Sequence, residues 1–206
     1  LVDQAHRRRL PVAVHLYYLD DAKFMLRTEA DIIAHSVRDL PVDSEFIDMM
    51  IASDTCYIPT LTREVSTYVY ESIPDFFEDP YFLKEVEPAI LEQLSSPERM
   101  SQVAGSRSAQ TYKAQLPTAM DNVGTLHGQG IRIAMGTDTG PPARFQGYFE
   151  HMEMHMMVDA GLSPHDAIRA STGVAADCIG MGDIGTLEPG KWGDFSILTE
   201  DPVADI

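Results

Sequence analysis

The sequence predicts an α/β chain built on parallel strands, and three observations carry that prediction. Three short apolar runs, Pro11-Val-Ala-Val-His15, Asp31-Ile-Ile-Ala-His35 and Ile131-Arg-Ile-Ala-Met-Gly-Thr-Asp138, each read as a buried strand. Helical spacing fills the intervals, giving the order strand, helix, strand, helix, strand that parallel pairing requires. Each run also ends in a residue able to bind a metal or move a proton.

The elements follow in order. Residues 1–10 read as the last turns of a helix, which implies that sequence precedes them. Asp20 to Thr28 is long enough for a short crossover helix. From Asp43 to Ser53, Phe46, Ile47, Met50 and Ile51 mark one helical face. A further strand-like run, Thr55-Cys-Tyr-Ile-Pro59, follows directly. Between Leu61 and about Gln115 the texture turns acidic, proline-containing and rich in Tyr and Phe. That stretch predicts short helices above the strand ends, serving either as a lid or as a packed insertion, and then a longer helix entering Ile131. Two more helices are expected over about 147–160 and 164–179. Gly161 closes the first, and Ser163-Pro164-His165-Asp166 supplies an N-cap, a first-turn proline and a capping carboxylate for the second. Beyond Gly180, short β segments are expected around Thr186-Leu187 and Asp194 to Leu198.

Composition excludes several function classes. The formal net charge of -17 repels phosphate backbones, so nucleic acid is not an expected partner. No apolar run approaches membrane-spanning length, and the longest is broken by Arg132. Cys56 and Cys178 are too few and too distant to form a disulfide framework, and their apolar settings predict two buried free thiols. No signal peptide is visible, and the compartment is left open, with the cytoplasm favoured.

In a parallel α/β barrel, strand C-termini converge on one face, where chemistry is done. His15, His35 and Asp138 all sit at such ends. Two imidazoles and a carboxylate suit Zn²⁺ or a similar cation. A single His ending an apolar run is often only a hydrogen-bonded structural residue, but three such endings in register favour a site. Arg38 follows His35 and reads either as a contact for a substrate carboxylate or as a surface ion pair with Asp39 or Asp43. His151 and His155 share one helix face. Glu153 stands at the wrong offset for a His-Glu-x-x-His protease helix, so the pair reads as surface or supporting histidines. His6 and His165 read as solvated. Gly136 and Gly140 read as turn glycines that aim Asp138 inward.

The three strand endings resemble strands five, six and eight of the amidohydrolase superfamily. Asp159-Ala-Gly-Leu-Ser-Pro-His-Asp-Ala-Ile-Arg-Ala-Ser-Thr172 resembles the helix pair after strand eight. Ile184-Gly-Thr-Leu-Glu-Pro-Gly-Lys-Trp-Gly-Asp-Phe-Ser-Ile-Leu198 resembles the return into that family's small β-sandwich. The likeness is greatest to the imidazolonepropionase-like and Xaa-Pro dipeptidase-like branch. It implies the second half, about strands five to eight, of a TIM-like (β/α)8 barrel over residues 1–182, with 61–115 as a helical insertion. Residues 183–206 would open the sandwich. It further implies that His15 and His35 bind one metal, and that Asp138 binds a second and acts as general base. The cofactor would be Zn or another divalent ion, one or two per intact enzyme.

The family's strand-one His-x-His pair and strand-four lysine have no counterpart here, since none of Lys23, Lys84, Lys113 and Lys191 ends a strand before His15. The expected reaction is hydrolysis of a carbon–nitrogen bond in an amide, dipeptide or N-acyl amino acid, incomplete in this chain alone. Deamination with one metal, or a non-catalytic half-barrel, are the alternatives. The expected partners are a small amide-like substrate and either the missing N-terminal half or a second copy.

Overall fold

The computed structural model describes all residues, 1–206. Three short strands, β1 (Ala13–His15), β2 (Ile32–Ala34) and β3 (Cys56–Ile58), pair in that order, all parallel. The register aligns Val14, Ile33 and Tyr57 across the sheet, so His15 stands level with Ala34 and Ile58. Two crossover helices, α2 (Leu19–Arg27) and α3 (Ser44–Ser53), join them; a five-residue helix, α1 (Val2–His6), precedes β1. Asp43 caps α3 by accepting the Phe46 N–H at 2.9 Å, satisfying a donor that the first helical turn leaves free.

The run ending at Asp138 lies beside β3 but pairs with it only at Ile133, through Tyr57 N–H to Arg132 O and Ala134 N–H to Tyr57 O, both 2.9 Å. The expected full strand does not form here. Met135 N–H turns instead to Ala170 O at 2.9 Å, so the ladder ends after one bridge.

Short helices follow β3: α4 (Leu61–Val65), three single 3₁₀ turns between Val69 and Lys84, α5 (Pro88–Leu94) and α6 (Pro97–Ala104). The long helix α7 spans Arg107–Gly128, so it begins within the stretch expected to be insertion. Next come α8 (Tyr148–Asp159), α9 (Pro164–Ser171) and α10 (Gly173–Cys178). The last two were expected as one helix. Thr172, at φ -128 and ψ -96, leaves helical space and breaks them apart. Gly161 sits at φ +111 past the end of α8, and Ser163 Oγ accepts the Asp166 N–H at 3.1 Å, as the capping pattern predicts.

The main core fills the space between the sheet and its helices. Ile33, Val37, Phe46 and Tyr57 meet Ala119, Val123 and Leu126 of α7 and Met157 of α8, all fully buried. A second cluster of Tyr70, Phe77, Phe82 and Leu94 packs the insertion together, with Phe145 and Tyr148 against it. Residues 61–115 therefore carry a small core of their own.

Two expectations are corrected. Cys56 and Cys178 are bonded to each other rather than free, with Cα atoms 5.9 Å apart. Their 122-residue separation in sequence hid a neighbourhood that the parallel topology creates, because α10 returns beneath β3. Residues 183–206 hold no strand, and Leu187, Trp192, Phe195, Ile197 and Leu198 are exposed. A strand forms only where a neighbour accepts its hydrogen bonds, and this segment has none in the chain. No helix is long and apolar enough to cross a membrane.

Candidate active site

His15 ends β1 and His35 follows β2 directly, so parallel pairing brings the two imidazoles together. Their ring centroids lie 4.2 Å apart at 73°. His35 takes a left-handed backbone, φ +72, while its N–H still donates to Ile58 O at 2.8 Å. That turn takes the ring out of the strand's alternation and toward the strand end. His35 Nδ1 contacts Thr60 Oγ1 at 2.6 Å, which leaves Nε2 as the free nitrogen. Burial drives the His35 pKa down to about 4, helped by His15, Arg63 and Arg38 and opposed by Asp138. The ring is neutral at neutral pH, the form that ligates metals.

Asp138 lies at the same end of the sheet, exposed and also in a left-handed backbone, φ +55. Of the two glycines around it, Gly140 takes the positive φ, +123. Gly136 serves packing instead. A Cβ there would stand 2.7 Å from Ile58 Cγ2, so the segment can lie against β3 only without a side chain. Thr137 and Thr139, on either side of Asp138, both donate to Glu150 Oε1, at 2.7 and 2.8 Å. Glu150 Oε2 accepts the Gly147 N–H at 2.6 Å, so one carboxylate ties the Asp138 turn to the start of α8. Burial pushes the Glu150 pKa up, but these hydrogen bonds outweigh it and hold the group below its usual value.

The Asp138 carboxylate is flanked by arginines. Arg144 donates to its Oδ2 at 2.6 Å and to its backbone carbonyl at 2.9 Å. Arg63 Nε stands 3.9 Å from the same Oδ2. Arg63 also pairs with Glu64 at 3.2 Å and lies over the Tyr112 ring at 4.9 Å.

Arg38 is not at the surface, and it pairs with neither Asp39 nor Asp43. Asp39 accepts the Leu19 N–H, and Asp43 takes Lys23. Arg38 is 1% exposed, stacked between Tyr17 (4.2 Å) and Tyr112 (4.9 Å), with Nε 3.2 Å from the fully buried Glu64. Burial raises the Glu64 pKa, opposed by Arg38 and Arg63. The loop carrying Arg38 is pinned by Asn122, which donates to Val37 O and Leu40 O and accepts from Val42 N.

Other histidines lie away from the site. His151 and His155 are exposed on α8, and His165 is exposed on α9. His6, expected to be solvated, bonds Asp31 at 2.9 Å. Glu153 faces the interior and accepts from Leu61 N–H, Thr62 N–H and Thr62 Oγ–H at 2.7 to 2.8 Å, capping α4 from another helix.

Sequence reasoning missed Arg63, Arg144, Thr60 and Glu150. Arg63 lay in a stretch read only as insertion, and Arg144 six residues beyond Asp138 in a loop without periodicity. Arg144 had a signal, since it stands in the turn that directly follows a strand-end carboxylate.

The donor set can be tested against a divalent cation. The two imidazoles fit, one held neutral and oriented by a hydroxyl, as metal-binding histidines are. Asp138 has the right chemistry but is engaged by Arg144. No three His, Cys, Asp or Glu side chains converge into a ligand cluster. The set thus offers two imidazoles suited to a cation, with a carboxylate at the same end of the sheet.

Parallel strands that deliver two imidazoles and a carboxylate to one end define the class: an α/β chain with its polar site at the strand C-termini. The family model described as "Amidohydrolase family" matches residues 1–206. The chain belongs to the amidohydrolase family. Solved structures agree on the fold. A Xaa-Pro dipeptidase with bound methionine in the active site superposes with TM-score 0.70 at 23% identity, over 99% of this chain and 42% of its own. A putative prolidase from Bifidobacterium longum gives 0.66 at 24%, over 98% and 44%. The A. niger ochratoxinase gives 0.67 at 21%, over 99% and 39%. The chain spans less than half the length of each.

Proposed function

We propose that the intact protein is a metal-dependent hydrolase of carbon–nitrogen bonds, acting on an amide, dipeptide or N-acyl amino acid. The observation that carries this reading is the His15–His35 pair, two imidazoles 4.2 Å apart at the ends of neighbouring parallel strands. Membership of the amidohydrolase family, and a fold shared with a dipeptidase and a putative prolidase, support it.

His15 and His35 would hold one divalent cation, zinc being the best match to imidazole, with Asp138 at its edge. Such a cation supplies Lewis acidity for attack by water. Asp138 accepts the proton of the attacking water and delivers it to the leaving nitrogen. Thr60 orients the His35 ring, and Glu150 holds the turn that aims Asp138. Residues 1–182 are read as part of a barrel and 183–206 as the start of a β-sandwich. The unpaired outer edge of β1 is read as the seat of the remaining strands or of a second copy.

Elemental analysis tests the reading. Zinc bound to the purified protein should fall when His15 or His35 is replaced by Ala. Equal metal content in the wild type and both variants would remove the proposed site.

A further inference from the structure

Away from the strand ends, α8 carries chemistry that the proposed hydrolysis does not use. Its inner face is closed: Phe149, Glu153 and Met157 are fully buried, and Glu153 is spent on the N–H groups of Leu61 and Thr62. His151, His155 and Asp159 follow one another at intervals of four residues and stand exposed on the outer face. That spacing returns a side chain to the same line of the helix each turn, with Cβ atoms about 5–6 Å apart. All three border one hollow of about 530 Å³, together with Asp79 and Tyr81 of the insertion. Its lining includes those two carboxylates and no Lys or Arg; Lys84, 5.9 Å from the centre of the Tyr81 ring, is not part of it. His6, His35 and His127 each have a polar partner. His151 instead meets the Tyr81 ring, with centroids 5.4 Å apart at 86°, and no hydrogen bond or ion pair engages it or His155. Both imidazoles therefore keep their ring nitrogens open to a ligand.

We propose that His151 and His155 chelate a divalent transition-metal cation, copper(II) most tightly, at a site distinct from the His15–His35 pair. Two histidines at i and i+4 on one helix face are spaced to share an ion. No third His, Cys, Asp or Glu converges on them, so the protein supplies two nitrogen ligands and water completes the shell. A structural zinc site calls for four protein ligands, which this face does not have. Copper(II) is served better, because it heads the affinity order for nitrogen donors and takes nitrogen and oxygen together in a tetragonal plane. Asp79 and Asp159 draw the cation into the hollow by charge without bonding it. Glu153 lies between the two histidines in sequence but faces the interior, so the bound ion has no general base beside it. The site is one for binding, not for a second hydrolysis.

Calorimetric titration of the full chain with copper(II) chloride tests the site. His151→Gln and His155→Gln should each weaken binding of one copper equivalent on the order of a hundredfold, because either change ends the chelation. The double variant should lose little more than either single one. Zinc held by His15 and His35 should be the same in all of them, which separates this site from the one proposed for hydrolysis. Adding Asp159→His to His151→Gln moves the pair one turn along the same face and should restore the lost equivalent. Circular dichroism establishes that the variants fold. Should His151→Gln disturb the packing of Tyr81, His155→Gln decides, since that histidine has no ring contact. An unchanged number of copper ions in the folded variants overturns the proposal. So do losses that simply add between the two histidines, the mark of independent imidazoles, and a paired His151→Gln and Asp159→His variant that binds no better than His151→Gln.

Discussion

Replacing Glu153 by Gln isolates one buried carboxylate whose surroundings pull in opposite directions. Its two oxygens accept three hydrogen bonds, from Leu61 N–H, Thr62 N–H and Thr62 Oγ–H, and it is fully buried. Gln keeps the shape but must turn its amide NH₂ toward one of the two backbone N–H groups. Setting a donor against a buried donor costs about 1–3 kcal/mol, and each kcal/mol lowers Tm by about 2–4 °C in a chain of this size. The pH dependence carries the sharper information. Burial raises the Glu153 pKa from 4.5 to about 7, against the three hydrogen bonds. A carboxyl whose folded pKa exceeds its unfolded one contributes stability that is full below about 4.5 and is lost as pH rises through about 7. The full span amounts to about 3 kcal/mol. Gln does not titrate, so the wild type should exceed the variant by the largest margin near pH 5, and the margin should shrink toward pH 8. Urea denaturation of both proteins between pH 5 and 8 measures that margin, and other groups cancel in the difference. A margin that widens with pH would show that the hydrogen bonds outweigh burial, and the reasoning would be refuted.

Four further outcomes are expected. Gly124→Ala would place a Cβ 2.2 Å from the backbone oxygen of Ala160, forcing α7 from α8 at about 1–3 kcal/mol, read as a fall in Tm. Cys178→Ser removes the tie between β3 and α10 and should cost about 2–4 kcal/mol in non-reducing urea melts; thiol titration of the unfolded, unreduced wild type should find none. In the complete enzyme, Asp138→Asn should abolish turnover while sparing the fold, because Asn cannot accept the proton; near-normal kcat with metal bound would remove Asp138 as base. Purified alone, the 206-residue chain should hydrolyse none of a panel of dipeptides and should sediment as an associated species, since the outer edge of β1 is unpaired.

How much of this was legible in the sequence depends on distance along the chain. The strands ending at His15 and His35 were readable because apolar runs with a polar terminus carry their own signal. The caps at Ser163 and Gly161 were readable because they act within one helical turn. The Cys56–Cys178 bond was not, since no local pattern reports that α10 returns beneath β3. The burial of Arg38 was hidden for the same reason. Its partners Tyr17, Glu64 and Tyr112 lie on three separate elements, and an arginine beside Asp39 and Asp43 in sequence reads as exposed. The strands expected at 186–187 and 194–198 show the converse. Their residues favour β structure locally, but the pairing that would realise it is not supplied within the chain.

These long-range contacts have a common focus in residues 60–66, a segment the sequence offers only as the first residues of an insertion. Thr60 contacts the His35 ring. Leu61 and Thr62 give their N–H groups to Glu153, which fixes the segment against α8. Arg63 reaches toward Asp138, Glu64 neutralises Arg38, and Ser66 braces Arg144. One short stretch, itself held by a buried carboxylate, therefore touches both the His35 and the Asp138 halves of the site. The packed insertion joins it through Tyr70, whose hydroxyl donates to Ala143 O at 2.6 Å, one residue before Arg144. Displacing the insertion would thus move the guanidinium that holds Asp138 before it moved either histidine. The Asp138 turn is thus tied to residues 66 and 70 through Arg144 and Ala143, while the imidazole pair rests on the sheet itself. A perturbation of the insertion should accordingly alter turnover while leaving metal content unchanged, a separation that an insertion acting only as a passive cover would not produce.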